Sequence, residues 1–167
     1  MNELKENDEF QSVLLQATQA AIRSHQQEKH SALRNAVVNT AKGIDVDPDL
    51  KQTFVRYVDE LTPSHISLLR FFHENEQTLR RAESYETILS QFEAQRGRVR
   101  SLDRDEFKLL CEDLKARLLL RIGARVADFD DIYDPVIIDS GGAEDLPWAR
   151  VTGIAKQFLR FINSSSA

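Results

Sequence analysis

Basic side chains gather at one place in this sequence, the segment AQRGRVRSLDR, which holds Arg96, Arg98, Arg100 and Arg104, with Lys108 one turn further on and Arg80 and Arg81 upstream. Guanidinium groups present a planar fork of donors that matches the oxygens of a phosphate or carboxylate. Arg96, Arg98, Arg100, Arg104 and Lys108 are therefore the candidate contacts for a partner or a nucleic acid. The competing reading is a solvated connection whose arginines pair with neighbouring acids, and charge runs more often end that way.

Other residue types capable of chemistry do not assemble. Asp128, Asp130, Asp131 and Asp134 crowd VADFDDIYDP, but the spacing lacks the glycine and terminal glutamate of a calcium loop. A hydrophilic loop after a helix, pinned by Phe129, Ile132 and Tyr133, is expected instead. His25, His30, His65 and His73 never stand at a metal-ligand spacing with Cys111 or with each other. Ser64 and His65 are adjacent in the first turn of a helix, where neighbours point apart and a capping role explains both. Cys111 falls on an apolar helical face and is expected to be a buried, inert thiol. Gly141 and Gly142 lack the lysine and the strand-to-helix setting of a phosphate loop and make a turn. Trp148 is expected to anchor core. No nucleophile, base and orienter come together, so no catalytic residue, cofactor or metal is assigned and the chain is not expected to be an enzyme.

The elements that position these residues follow from apolar spacing. Phe10, Val13, Leu14, Ala17, Ala21 and Ile22 recur at three and four, which predicts a helix over 8–25. After the polar run SHQQEKH the pattern resumes at Leu33, Ala36, Val37, Thr40 and Ala41 and stops at Gly43, a C′ glycine, unless one long bent helix spans both. Asp47 before Pro48 starts a third helix with Leu50, Phe54, Val58 and Leu61 inward. Thr62 and Pro63 start a fourth, apolar around most of its circumference through Ile66, Leu68, Leu69, Phe71 and Phe72. Tyr85, Ile88, Leu89 and Phe92 mark a fifth. Asp103 with Glu106 is a capping box for a sixth, 103–122, through Phe107, Leu110, Cys111, Leu114, Leu118 and Ile122. The β-branched run VIID, a turn at SGGAED and WARV predict a β-hairpin in which Pro147 takes an edge or first position. Thr152 caps a last helix striped by Ile154, Phe158, Phe161 and Ile162.

The predicted fold is mainly α: an N-terminal helical region, 1–61, packed on a module, 62–167, with one short hairpin, the two forming one cooperative unit. Its order of helix, short helix, long helix, hairpin and closing helix resembles a winged helix-turn-helix. The phrases LTPSHISLLRFF and VTGIAKQFLRFI also resemble uncharacterised small bacterial helical proteins in which a helical pair precedes such a module. The resemblance implies that the helix 103–122 is the one DNA-binding members lay in the major groove, with the hairpin as wing. It brings no catalytic residues.

Charge argues against that docking. The net charge is −5, with 7 basic against 10 acidic residues up to position 60 and 15 against 17 beyond it. The presumed recognition helix opens with Asp103, Asp105 and Glu106, and the wing DSGGAED has three acids and no base. Acids beside phosphates repel, so nucleic acid is disfavoured and a protein partner favoured. The stripe on helix one needs a cover, either the rest of the chain or a partner helix, including a second copy. One cysteine and the absence of a leader or a 20-residue apolar run predict a cytoplasmic protein that does not enter membranes. The expectation is a non-enzymatic protein-interaction or regulatory domain, with a DNA-binding transcriptional regulator using helix 103–122 and the Arg96–Arg104 loop as the alternative.

Overall fold

A computed structural model describes residues 7–79, 85–96, 101–124 and 147–164 of the chain. Among them are eight helices and one two-stranded antiparallel sheet. The helices are α1 (Asp8–Arg23), α2 (Gln27–Ala41), α3 (Pro48–Glu60), α4 (Pro63–Glu74), α5 (Glu76–Leu79), α6 (Tyr85–Arg96), α7 (Arg104–Ala116) and α8 (Gly153–Ile162); the strands are β1 (Leu120–Ala124) and β2 (Pro147–Val151). The chain divides into two compact units, one running up to Ile66 and resuming at Gly153, the other Ser67–Thr152.

In the first unit α1 and α2 are separate helices joined through 24–26, not one bent rod. Asn7 caps α1 by accepting the Phe10 amide, and Asp47 caps α3 by accepting the amides of Asp49 and Leu50. Gly43, at φ 72°, closes α2: its amide donates to the Thr40 carbonyl and that of Ile44 to the Asn39 carbonyl, each at 3.0 Å. This is the two-bond Schellman closure that needs a left-handed residue at C′. The unit's core is aromatic. Phe54 meets Phe158 and Phe161 with ring centroids 5.4 and 5.7 Å apart, and Tyr57 stands edge-on to Phe158 at 6.0 Å. The last helix of the chain is thereby built into the packing of α2 and α3.

On α1 the buried residues are Val13, Ala17 and Ala20. The stripe read from the sequence is rotated from this by the presence of Leu14 and Ile22, which are 42% and 77% exposed. Small alanines face inward because α1 lies close along both α2 and α3, and long side chains would hold it away.

The second unit begins with most of α4, whose Leu68, Leu69, Phe71 and Phe72 are all buried. Phe71, Phe92 and Phe107 form a chain of ring contacts at 5.3 and 6.2 Å linking α4, α6 and α7. The capping box that starts α7 is formed: Glu106's amide donates to Asp103 at 2.7 Å and Asp103's amide to the Glu106 carboxylate at 3.1 Å.

The far end of α7 departs from expectation. The helix read as 103–122 stops at Ala116, and 120–124 is a strand. Leu118 takes φ 57°, and the amides of Leu118 and Leu119 bond the carbonyls of Lys115 and Leu114, each at 2.9 Å. That is the same closure as at Gly43, built on a leucine, which leaves Leu118 66% exposed rather than in the core. Beyond it Leu120 and Ile122 are buried and Arg121 is exposed, a period of two that the run of leucines disguised. WARV does form a strand, with Pro147 first in β2, but its partner is β1: Leu120 faces Val151, Arg121 faces Arg150, Ile122 faces Ala149 and Gly123 faces Trp148. The VIID run lies outside the described residues.

Candidate functional site

Two surfaces carry polar groups in quantity, one in each unit. In the first, α1 and α3 border a groove of about 390 Å³ lined by Gln16, Gln19, Arg23, Gln52, Arg56 and Asp59 among others. α1 and α3 are tied to each other at regular intervals, the second and third ties lying across the groove. Lys51, only 5% exposed, donates to Glu9; Gln16 donates to Gln52 at 3.3 Å; Arg23 meets Asp59 at 2.6 Å. Glu9, Gln16 and Arg23 stand seven apart, so the polar stripe follows one side of α1 for its whole length. The groove's basic and acidic groups balance. Its polar side chains are committed to one another, Gln16 with Gln52 and Arg23 with Asp59, so what the lining displays is hydrogen bonding.

In the second unit the expected arginine cluster is only partly within view. Arg98 and Arg100 lie outside the described residues, as do Arg80 and Arg81, the aspartates 128–134 and the DSGGAED segment. Arg96 sits half-buried with its guanidinium 5.5 Å above the Phe92 ring, a cation–π arrangement. Arg104 meets Glu86 at 3.0 Å. Lys115 meets Glu112 at 3.3 Å, while Lys108 is exposed. Arg96 and Arg104 thus have partners in their own unit.

The connection into α7 is held by an acid. Glu93 accepts from the Ser101 hydroxyl and from the Leu102 amide, each at 2.7 Å. Those bonds, the hydroxyl's foremost, with help from Arg96, hold its carboxyl below the usual carboxylate range.

What the sequence reading missed is a pair of arginines on the sheet. Arg121 and Arg150 are cross-strand partners, both exposed, and Arg150 also reaches Glu76 at 3.5 Å. Like charges directly opposite on a two-stranded ribbon are unfavourable. The pairing exists only in the strand register, and the helical spacing of Leu114, Leu118 and Ile122 conceals it.

The outward face of α7 is defined by Asp105, Leu109, Glu112 and Ala116, spaced four, three and four and all exposed. Leu109 is 70% exposed between the two acids. His65 is buried at the start of α4, where its Nδ1 accepts the Thr62 amide at 3.2 Å, closing a helix cap. Cys111 is buried on α7, and desolvation pushes its thiol up to about 12. Among the described residues no group of three His, Cys, Asp or Glu is placed to hold a metal, and no helix is long and apolar enough to cross a membrane. Comparison with protein-family models, with curated proteins and with solved structures finds no match to this chain.

Proposed function

We propose that the chain is a protein-interaction or regulatory domain whose second unit is a winged-helix-like module engaging a protein through α7. The order of α4, α6 and α7 followed by the antiparallel β1–β2 pair supports the winged-helix reading. The observation that carries the functional reading is Leu109. In a DNA-binding winged helix the corresponding face meets the major groove, where phosphates and base edges reward cations and polar donors. Here that face offers an apolar side chain between two carboxylates. A leucine ringed by charge suits the buried centre of a protein contact with a basic rim on the partner.

A second reading, the DNA-binding regulator, is favoured by Arg121 and Arg150, which would sit at the base of a wing and could share a phosphate. The two readings separate cleanly in one experiment. A photocrosslinking amino acid is placed at position 109 in cells, with position 94 as the exposed control. A protein adduct specific to position 109 supports the interaction reading. Absence of any adduct there, together with duplex binding that weakens with salt and with R121A/R150A, replaces it with the regulator.

A further inference from the structure

The outward side of α1 is unusual for this chain. Residues 10–22, FQSVLLQATQAAI, contain no charged side chain, in a protein where charged residues make up 29%. The inward side is taken by Val13, Ala17 and Ala20, which face α2 and α3. The outward side presents Leu14, Leu15 and Ile22, exposed by 42, 60 and 77%, with Gln11, Thr18 and Gln19 between and beside them. A surface helix normally puts charge on this side.

We infer that this face pairs with a second copy of itself. Its pattern is self-complementary about Thr18: Leu14 and Leu15 lie four and three residues before it and Ile22 four after it. Two antiparallel helices crossing at Thr18 bring Ile22 of each copy onto Leu14 and Leu15 of the other, at both ends of the contact. This is the self-matching patch that a two-fold interface requires, and it opposes the two helix dipoles favourably. Charge selects the occupant. A net charge of −5 opposes self-association, and a strip without charge lets two copies meet without adding to that repulsion. A charged partner would find nothing here to pair with. A membrane surface would require lysines and arginines flanking the apolar face; on α1 the flanks are Asp8 and Glu9 at one end and Arg23, paired with Asp59, at the other.

One helix pair buries less than the roughly 1,200–2,000 Å² of a stable interface, so the dimer is expected to be weak, with a dissociation constant on the order of tens to hundreds of micromolar. The inference extends the interaction reading to a second surface, and the test keeps them apart. Sedimentation velocity from about 10 μM to about 1 mM is expected to show a reversible dimer. L15E and I22E, both at exposed positions, should weaken it at least about tenfold with unchanged circular dichroism, while L109E should leave it intact. T18C should crosslink to its copy on oxidation and S90C, exposed on α6, should not; the native Cys111 is buried and does not compete. A chain monomeric at the highest concentration, or a dimer indifferent to I22E, overturns self-pairing and gives the face to another partner. Loss of the dimer in L109E instead moves the interface to α7.

Discussion

The side-chain amide of Asn39 on α2 donates to the carbonyl of Phe161 on α8 at 2.8 Å, a bond spanning 122 positions of sequence. The same nitrogen lies 2.9 Å from the Asn163 carbonyl and 3.4 Å from that of Arg160, and Asn35, one turn earlier, donates to Ile162 at 3.0 Å. A helix ends with carbonyls that have no partner inside it. Two asparagines of α2 supply partners for those of α8, and Asn39 does so at 1% exposure.

Replacing Asn39 should therefore cost more than one hydrogen bond. Asn39→Leu leaves buried carbonyls without their donor and is expected to lose about 2–3 kcal/mol. Asn39→Asp, nearly the same shape, turns a donor into a carboxylate facing three carbonyl oxygens and should lose more, by the cost of burying an unpaired charge. Urea denaturation of both variants beside the wild type checks the order; equal losses would mean that packing, not hydrogen bonding, sets the penalty.

Lys51 and Glu9 make a second measurable pair. The lysine side chain is 6% exposed and that of the glutamate 31%. Glu9→Ala strands the ammonium and should cost about 2 kcal/mol, between the values for exposed and fully buried pairs. Lys51→Met keeps the stem and removes the charge, and is expected to be near neutral, because the desolvation penalty leaves with it. The double substitution should then resemble Lys51→Met alone, a non-additivity that a double-mutant cycle reads directly.

Much of the local structure was legible because its signals are local. Asp47–Pro48, Thr62–Pro63, Asp103 with Glu106, and Gly43 each act within four residues, and each stands at the helix end where the pattern put it. Two kinds of information were not local. The burial of Val13, Ala17 and Ala20 in preference to Leu14 and Ile22 depends on how near α1 comes to α2 and α3, which no periodicity reports. The end of α7 was hidden because Leu118, Leu119, Leu120 and Ile122 satisfy a helical stripe and a strand alternation about equally. The candidate arginines suffered from the same limit: a cluster in sequence became a cation over Phe92 and an ion pair with Glu86, while the facing pair Arg121 and Arg150 is created only by the strand register.

Leu118 is the one described non-glycine residue with positive φ, and its conformation makes a prediction of opposite sign to Gly43. A left-handed leucine costs on the order of 1–2 kcal/mol, offset in part by the greater unfolded-state freedom of glycine. Leu118→Gly should stabilise the protein by roughly 0.5–1 kcal/mol, since the exposed side chain gives up little burial. Gly43→Ala meets no atom within 4 Å of the added carbon, yet should lose about 1 kcal/mol because φ 72° strains it. Thermal unfolding should move up for the first and down for the second.

Cys111 ties stability to high pH. Burial raises its thiol from 9.0 to about 12, so the unfolded chain releases this proton first. Below 9 both states hold the proton and Cys111 adds no pH dependence. As pH rises from about 9 towards 12, the unfolded state is favoured increasingly, by about 1 kcal/mol at pH 10. Other groups titrate in the same window, so the comparison is with Cys111→Ala. That variant should start less stable at neutral pH, through the small cavity it leaves, and lose stability more slowly between pH 9 and 11. The thiol should also stay unreactive towards a disulfide reagent at pH 8 until the protein is denatured, because the nucleophile is the thiolate. Rapid reaction in the native state would show that α7 opens readily on this side.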